Sequence, residues 1–262
     1  MSVPLKTLAF AVLLLAIAAH ADEWKKDYSV TGTPEVKVDS NDGNIEVTTG
    51  SQSTVSARVI TAGWRIGVGH VHIVDEQKGN HIELEVRTPH IVFFGISRHS
   101  IRVELTVPRS SNLDLHSGDG RISLAQVTGD LRLNSGDGAI EASGLDGRLN
   151  ATTSDGHISV QGRFDQLDLR TGDGRIEAEV ASGSKMQSAW SVRTADGGVR
   201  LRLPQNFASD LDLRTGDGHI TLDFPVTVSG RMSPSNIHGK LNGGGELLQV
   251  RTSDGSISLE RE

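Results

Sequence analysis

Cysteine is absent from this chain. Disulfides therefore contribute nothing, and stability has to come from packing and backbone ladders. Aromatic residues are scarce, with six Phe, three Trp and one Tyr among 262 residues, whereas glycine occurs 30 times. That balance suits turns and stacked strands. Beyond the N-terminal segment no window carries a convincing helical period, which argues against a helical protein. Net charge is also small, −7, and argues against general affinity for nucleic acid. Long apolar runs are missing too. The longest, Leu8–Ala19, falls short of the ~20 residues that span a bilayer. Lys6 precedes it and Ala19-His20-Ala21 follows, the pattern of an export signal cleaved before Asp22, with an uncleaved anchor as the alternative. Residues 1–21 are thus read as a signal peptide, 22–35 as a linker and 36–262 as one domain, with the first repeat and a cap in 36–108 and regular rungs in 109–262. No cysteine stands near the cleavage site to carry a lipid anchor.

What the chain has instead is one phrase repeated eight times. Copies 1 to 8 occupy residues 36–47, 113–124, 131–142, 149–160, 167–178, 190–201, 211–222 and 248–259. Each is centred on Asp-Gly. In every copy the positions six and four before the Asp, and three and five after it, are apolar, 32 positions in all. Their neighbours are polar almost throughout. This period of two marks strands with one face buried. The corner pairs after the first copy are Asp119-Gly120, Asp137-Gly138, Asp155-Gly156, Asp173-Gly174, Asp196-Gly197, Asp217-Gly218 and Asp254-Gly255. Asp-Gly suits backbone with positive φ, and the Ser or Thr two residues before each Asp can bond local backbone groups.

The first four of these aspartates are 18 residues apart, and later spacings are 23, 21 and 37. The corner is constant and the insertions, 181–188, 203–210 and 223–246, fall on the opposite side. Equal repeat length with like residues in columns predicts an all-β, single-domain β-solenoid of ~18-residue rungs spaced ~4.8 Å apart. An antiparallel β-sandwich turning at Asp-Gly is the alternative. Residues 55–61, 70–75, 81–88 and 101–107 read as longer strands, with a hairpin turn at 75–80, in an irregular antiparallel cap at the N-terminal end.

The string from Val103 through Pro108 to Leu115, followed by the S/T-x-D-G-x-I phrases, resembles the bacterial "putative adhesin" family of exported β-strand-repeat proteins of unknown function. The resemblance covers roughly residues 30–262. It implies a β-helix-like fold and a cell-envelope location, periplasmic or at the surface. It implies no catalytic residue. The His-containing stretch 70–99 departs from it.

Four sets of residues invite a functional reading. A stack of corner aspartates could be bridged by calcium, but like charges ~4.8 Å apart in water repel by only ~1 kcal/mol, so turn chemistry accounts for them without a metal. Three residues before each Asp the outward side chain changes along the chain, from Asp39, His116, Asn134 and Thr152 to Arg170, Arg193, Arg214 and Arg251. Arg121, Arg175 and His219 stand just after the corner. Stacked guanidiniums suit carboxylates, sulfates or phosphates of an envelope glycan. Neutralisation by Asp168, Asp212 and Glu177 is the competing reading. Finally, His70 and His72 share a strand face near His81, His90 and His99, an arrangement zinc or copper can use, although spacing fixes no third ligand. The run Ile91–Ile96 reads as cap core or as an exposed contact loop.

The expectation is a non-enzymatic envelope module that binds a glycan or a protein, with no cofactor, no metal and no nucleic acid. A lyase-type polysaccharide enzyme on a β-helix and an envelope-stress sensor acting through a protein partner are the alternatives.

Overall fold

The computed structural model describes residues 21–67, 70–88, 99–228 and 233–262. Residues 1–20 of the segment read as a signal peptide, His90 and the run Ile91–Ile96 lie outside them. The described residues are all-β, with 21 strands joined in one hydrogen-bonded network. No described helix is long and apolar enough to cross a membrane.

Every copy of the phrase is a strand, a corner and a second strand. The strands before the corner pair with one another, and those after it pair with one another, in parallel. Registers match equivalent positions. Leu113 pairs with Leu131 before the corner, and Ile140 pairs with both Ile122 and Ile158 after it. The result is two parallel ladders, a pre-corner face and a post-corner face. The strands Ile140–Thr152 and Ile158–Arg170 each run from one ladder into the other, bending at irregular register near Ala142–Arg148. Thirty of the 32 repeat-apolar positions are buried in a single core; Ile220 and Leu222 of copy 7 are half-buried. Trp190 fills the core beside Phe164 and Phe207, at ring-centroid distances of 6.5 and 5.4 Å.

The corner works differently from the sequence expectation. None of its glycines or aspartates has positive φ. Glycine is needed there because the rungs nearly touch. A Cβ on Gly120, Gly138, Gly156, Gly174, Gly197, Gly255 or Gly218 would lie 2.0–2.2 Å from the carbonyl oxygen of the corner glycine one rung before. The buried Ser or Thr of each rung donates to that same oxygen, at 2.6–3.0 Å, from Ser117 through Thr215. In copies 1 to 5 the hydroxyl also accepts from its own corner glycine N–H, at 3.0–3.3 Å. A column of hydroxyls and glycine backbones thus runs the length of the stack.

Spatial order departs from chain order at both ends. Copy 8 lies between copies 6 and 7, pairing with each in parallel. At the other end, His81–Arg87 and Ser100–Val107 pair in parallel and in register with the two strands of copy 1, so they form a further rung without the Asp-Gly phrase. Antiparallel strands cover the rest. His72–Lys78 flanks one face, and Thr54–Ala62 and Ala21–Ser29 flank the other. Residues 22–35, read as a linker, therefore contain a paired strand, whose Lys25, Lys26 and Asp27 place charge on the sheet edge. At the far end the insertion 223–246 supplies Asn236–Leu241 and Val226–Val228, both antiparallel, on the pre-corner face.

Candidate functional site

The corner is held by the buried hydroxyl–glycine column, and the corner aspartates turn to solvent; all eight are exposed, and Asp42 accepts from Thr88 Oγ1 at 3.3 Å. Among the described residues no group of three or more His, Cys, Asp or Glu side chains comes together. His70 and His72 are exposed, and His99 lies against the Trp64 ring at 4.3 Å.

The outward column of the pre-corner face is more distinctive. In spatial order it reads Glu85, Asp39, His116, Asn134, Thr152, Arg170, Arg193, Arg251 and Arg214. The swap of copies 7 and 8 leaves the four arginines contiguous. They occupy four successive parallel strands in direct register. The acidic end is closed on itself, since Arg87 bonds Asp39, Glu85 and Asn41.

The arginines fall into two unlike pairs. Arg214 Nε donates to Asp212 Oδ1 at 2.9 Å, and Arg251 Nη2 donates to Asp212 Oδ2 at 2.9 Å. Gln249 Nε2 donates to Oδ2 at 3.3 Å, and His238 Nδ1 lies 3.3 Å from Oδ1. Asp212 is only 9% exposed, and Arg251 Nε is buried without a partner. The other pair is open. Arg170 and Arg193 are exposed, and neither has an ion pair among the described residues; Arg193 donates to Gln249 Oε1. Asp168 does not engage Arg170. Of the neutralising acids expected from the sequence, Asp212 alone acts on this column.

Burial raises the Asp212 carboxyl, but hydrogen bonds from Arg214 and Gln249 and the charges of Arg214 and Arg251 outweigh it, leaving it below the ordinary carboxylate value. The folded chain keeps Asp212 ionised to lower pH than the unfolded chain. Its contribution to stability is complete above the ordinary pKa of ~4 and is lost as pH falls through the folded value. Melting temperature should therefore fall less steeply on acidification in Asp212→Asn than in the parent. Parallel curves would remove Asp212 from the acid response.

Arg121 and Arg175 stand elsewhere, on the post-corner side. Arg121 pairs with Glu141 at 3.5 Å, and Arg175 lies 4.0 Å from Glu177, which Arg200 also approaches at 3.5 Å. They do not join the arginine column. Sequence reasoning missed Gln249 and His238. Gln249 was legible as an outward residue two before Arg251, whereas His238 sits in an insertion without the repeat.

Residues 162–260 match the family model Toastrack DUF4097, which bears out the resemblance over that stretch. No curated protein matches the chain. Among solved structures, a putative cell adhesion protein from Clostridium sporogenes is 14% identical at a TM-score of 0.45, covering 93% of this chain and 100% of that one. A putative adhesin from Bacteroides fragilis is 11% identical at 0.45, covering 92% and 97%. A putative lipid binding protein from Parabacteroides distasonis is 13% identical at 0.41, covering 92% and 98%. At such identities and scores these likenesses carry no functional inference.

Proposed function

With residues 162–260 similar to the Toastrack family, we propose that this chain is an exported, non-enzymatic binding module of the cell envelope, a β-solenoid that holds anionic glycan on its pre-corner face. The solenoid reading rests on the parallel ladders in which equivalent residues of successive copies pair. The export reading rests on Lys6, the apolar run and Ala19-His20-Ala21.

One observation carries the function. Arg170, Arg193, Arg251 and Arg214 stand in direct register on four neighbouring strands. Like charges directly opposite one another destabilise a sheet; Asp212 offsets this for Arg214 and Arg251, but the scaffold gives no such reason for Arg170 and Arg193. An anionic partner does. The exposed, unpaired members, Arg170 and Arg193, are the ones that present guanidinium forks to solvent.

The Arg170→Ser/Arg193→Ser double variant should lose retention on an anionic polysaccharide column, and raising salt should weaken the parent in the same way. Arg121→Ser, on the other side, should bind as the parent does. Equal retention by the parent and the double variant would sink the reading.

A further inference from the structure

We propose that Arg170 and Arg193 form a carboxylate site, so that the glycan recognised is one bearing acidic sugars rather than sulfate esters. This deepens the anion-binding reading and rests on it.

The molecule supplies its own template. Asp212 shows how two arginines on adjacent rungs of this column hold a single carboxylate, with one oxygen taken by Arg214 Nε and the other by Arg251 Nη2, both at 2.9 Å. Arg170 and Arg193 stand in the same relation, in register on adjacent parallel strands of the same face. Residues 167–174 and 211–218 are even the same octapeptide, Leu-Asp-Leu-Arg-Thr-Gly-Asp-Gly. In the first of these, however, no carboxylate among the described residues closes on the pair. Asp168 is in register with Ser191 and bonds neither guanidinium. Arg193 is steadied from one side by Gln249, which in turn bonds Asp212. The open pair therefore has the charge, the ladder spacing of ~4.8 Å and the exposure that a planar carboxylate needs, and Asp168, the counterpart of Asp212, leaves its donors free.

The surroundings narrow the ligand further. Thr152 and Asn134 continue the column with a hydroxyl and an amide, groups that bond sugar hydroxyls. Asp212 withholds the remaining two arginines. The free surface thus offers one anion position beside a neutral polar run, which matches a carboxylated sugar chain better than a densely sulfated one.

Polygalacturonate and dextran sulfate, matched in molar charge, serve as probes in affinity electrophoresis, with neutral dextran as the blank. The parent should be retarded by polygalacturonate more than by dextran sulfate. Arg170→Ser/Arg193→Ser should weaken polygalacturonate binding at least about tenfold, the scale of one lost charge-assisted pair. Arg170→Lys/Arg193→Lys keeps the charge but not the fork, and should lose most of the preference for carboxylate. Asp212→Asn should tighten polygalacturonate binding severalfold by opening the second pair. Preference for dextran sulfate, or a Lys double variant that keeps the full preference for polygalacturonate, overturns the carboxylate site and leaves anion binding standing, whereas polygalacturonate affinity unchanged in the Ser double variant overturns both. Retention by neither polymer overturns the anion-binding reading itself.

Discussion

Gly197→Ala should lower the melting temperature by roughly 6–12 °C, whereas Gly198→Ala, one residue on, should leave it within about 2 °C. The two glycines share a corner and differ in what lies above them. A Cβ on Gly197 would sit 2.0 Å from the Gly174 carbonyl oxygen and 2.5 Å from its carbon. Those are backbone atoms of the next rung, already bound to Thr194, and they can move only by opening the stack. Overpacking of this kind costs about 3 kcal/mol, and ~1 kcal/mol moves the melting point of a chain this size by ~2–4 °C. A Cβ on Gly198 would meet nothing nearer than the Ser256 carbonyl oxygen at 3.4 Å, and neither glycine has positive φ. Alanine at 198 also restricts the unfolded chain, which offsets part of any cost. Differential scanning calorimetry of the two variants decides the matter. Equal melting points would show that close approach is not what keeps glycine at the corner.

Thr171→Val should cost about 2 kcal/mol, and Thr171→Ser no more than about 1 kcal/mol, the loss of one buried methyl. The Thr171 hydroxyl is buried, donates to Gly156 O at 2.9 Å and accepts from Gly174 N at 3.3 Å. Valine keeps the shape and removes both bonds, leaving a buried carbonyl and a buried N–H without this partner. That loss outweighs the apolar gain, because an orphaned buried polar group costs ~1–3 kcal/mol. Serine already does the same work in copies 1 to 3 through Ser40, Ser117 and Ser135, each buried. Chemical denaturation at neutral pH separates the two variants. Similar midpoints for valine and serine would mean that packing, not the hydroxyl column, holds the corner.

Both experiments concern features whose positions are plain in the sequence and whose reasons are not. The Ser/Thr and Gly of each phrase are visible by alignment, and so is the period of two around them. Local chemistry suggests positive φ, because Asp-Gly so often serves turns. The actual cause is a contact between residues 15 to 74 positions apart, such as Gly138 with Thr153 and Gly43 with Ser117, and no local rule contains it. The further rung of His81–Arg87 and Ser100–Val107 was partly legible. Ile82, Leu84, Val103 and Leu105 keep the apolar alternation, but the missing Asp-Gly phrase hid their kinship with copy 1.

By itself, then, the sequence determined which residues face inward, where each rung turns and that strands stack, because a period of two and a fixed corner depend only on backbone geometry and local side chains. It could not determine the order of stacking. Copies 7 and 8 offer nearly the same edge to copy 6, and the choice fell to the connections, 37 residues between their aspartates being enough for copy 8 to return inside copy 7. The same holds for the site. The octapeptides at 167–174 and 211–218 are identical, yet Asp212 binds two arginines while Asp168 binds none. Only the tertiary structure sets Arg251 and Gln249 on one side of Asp212 and His238 on the other, and a carboxylate ionises and orders where opposite charge and donors converge on it.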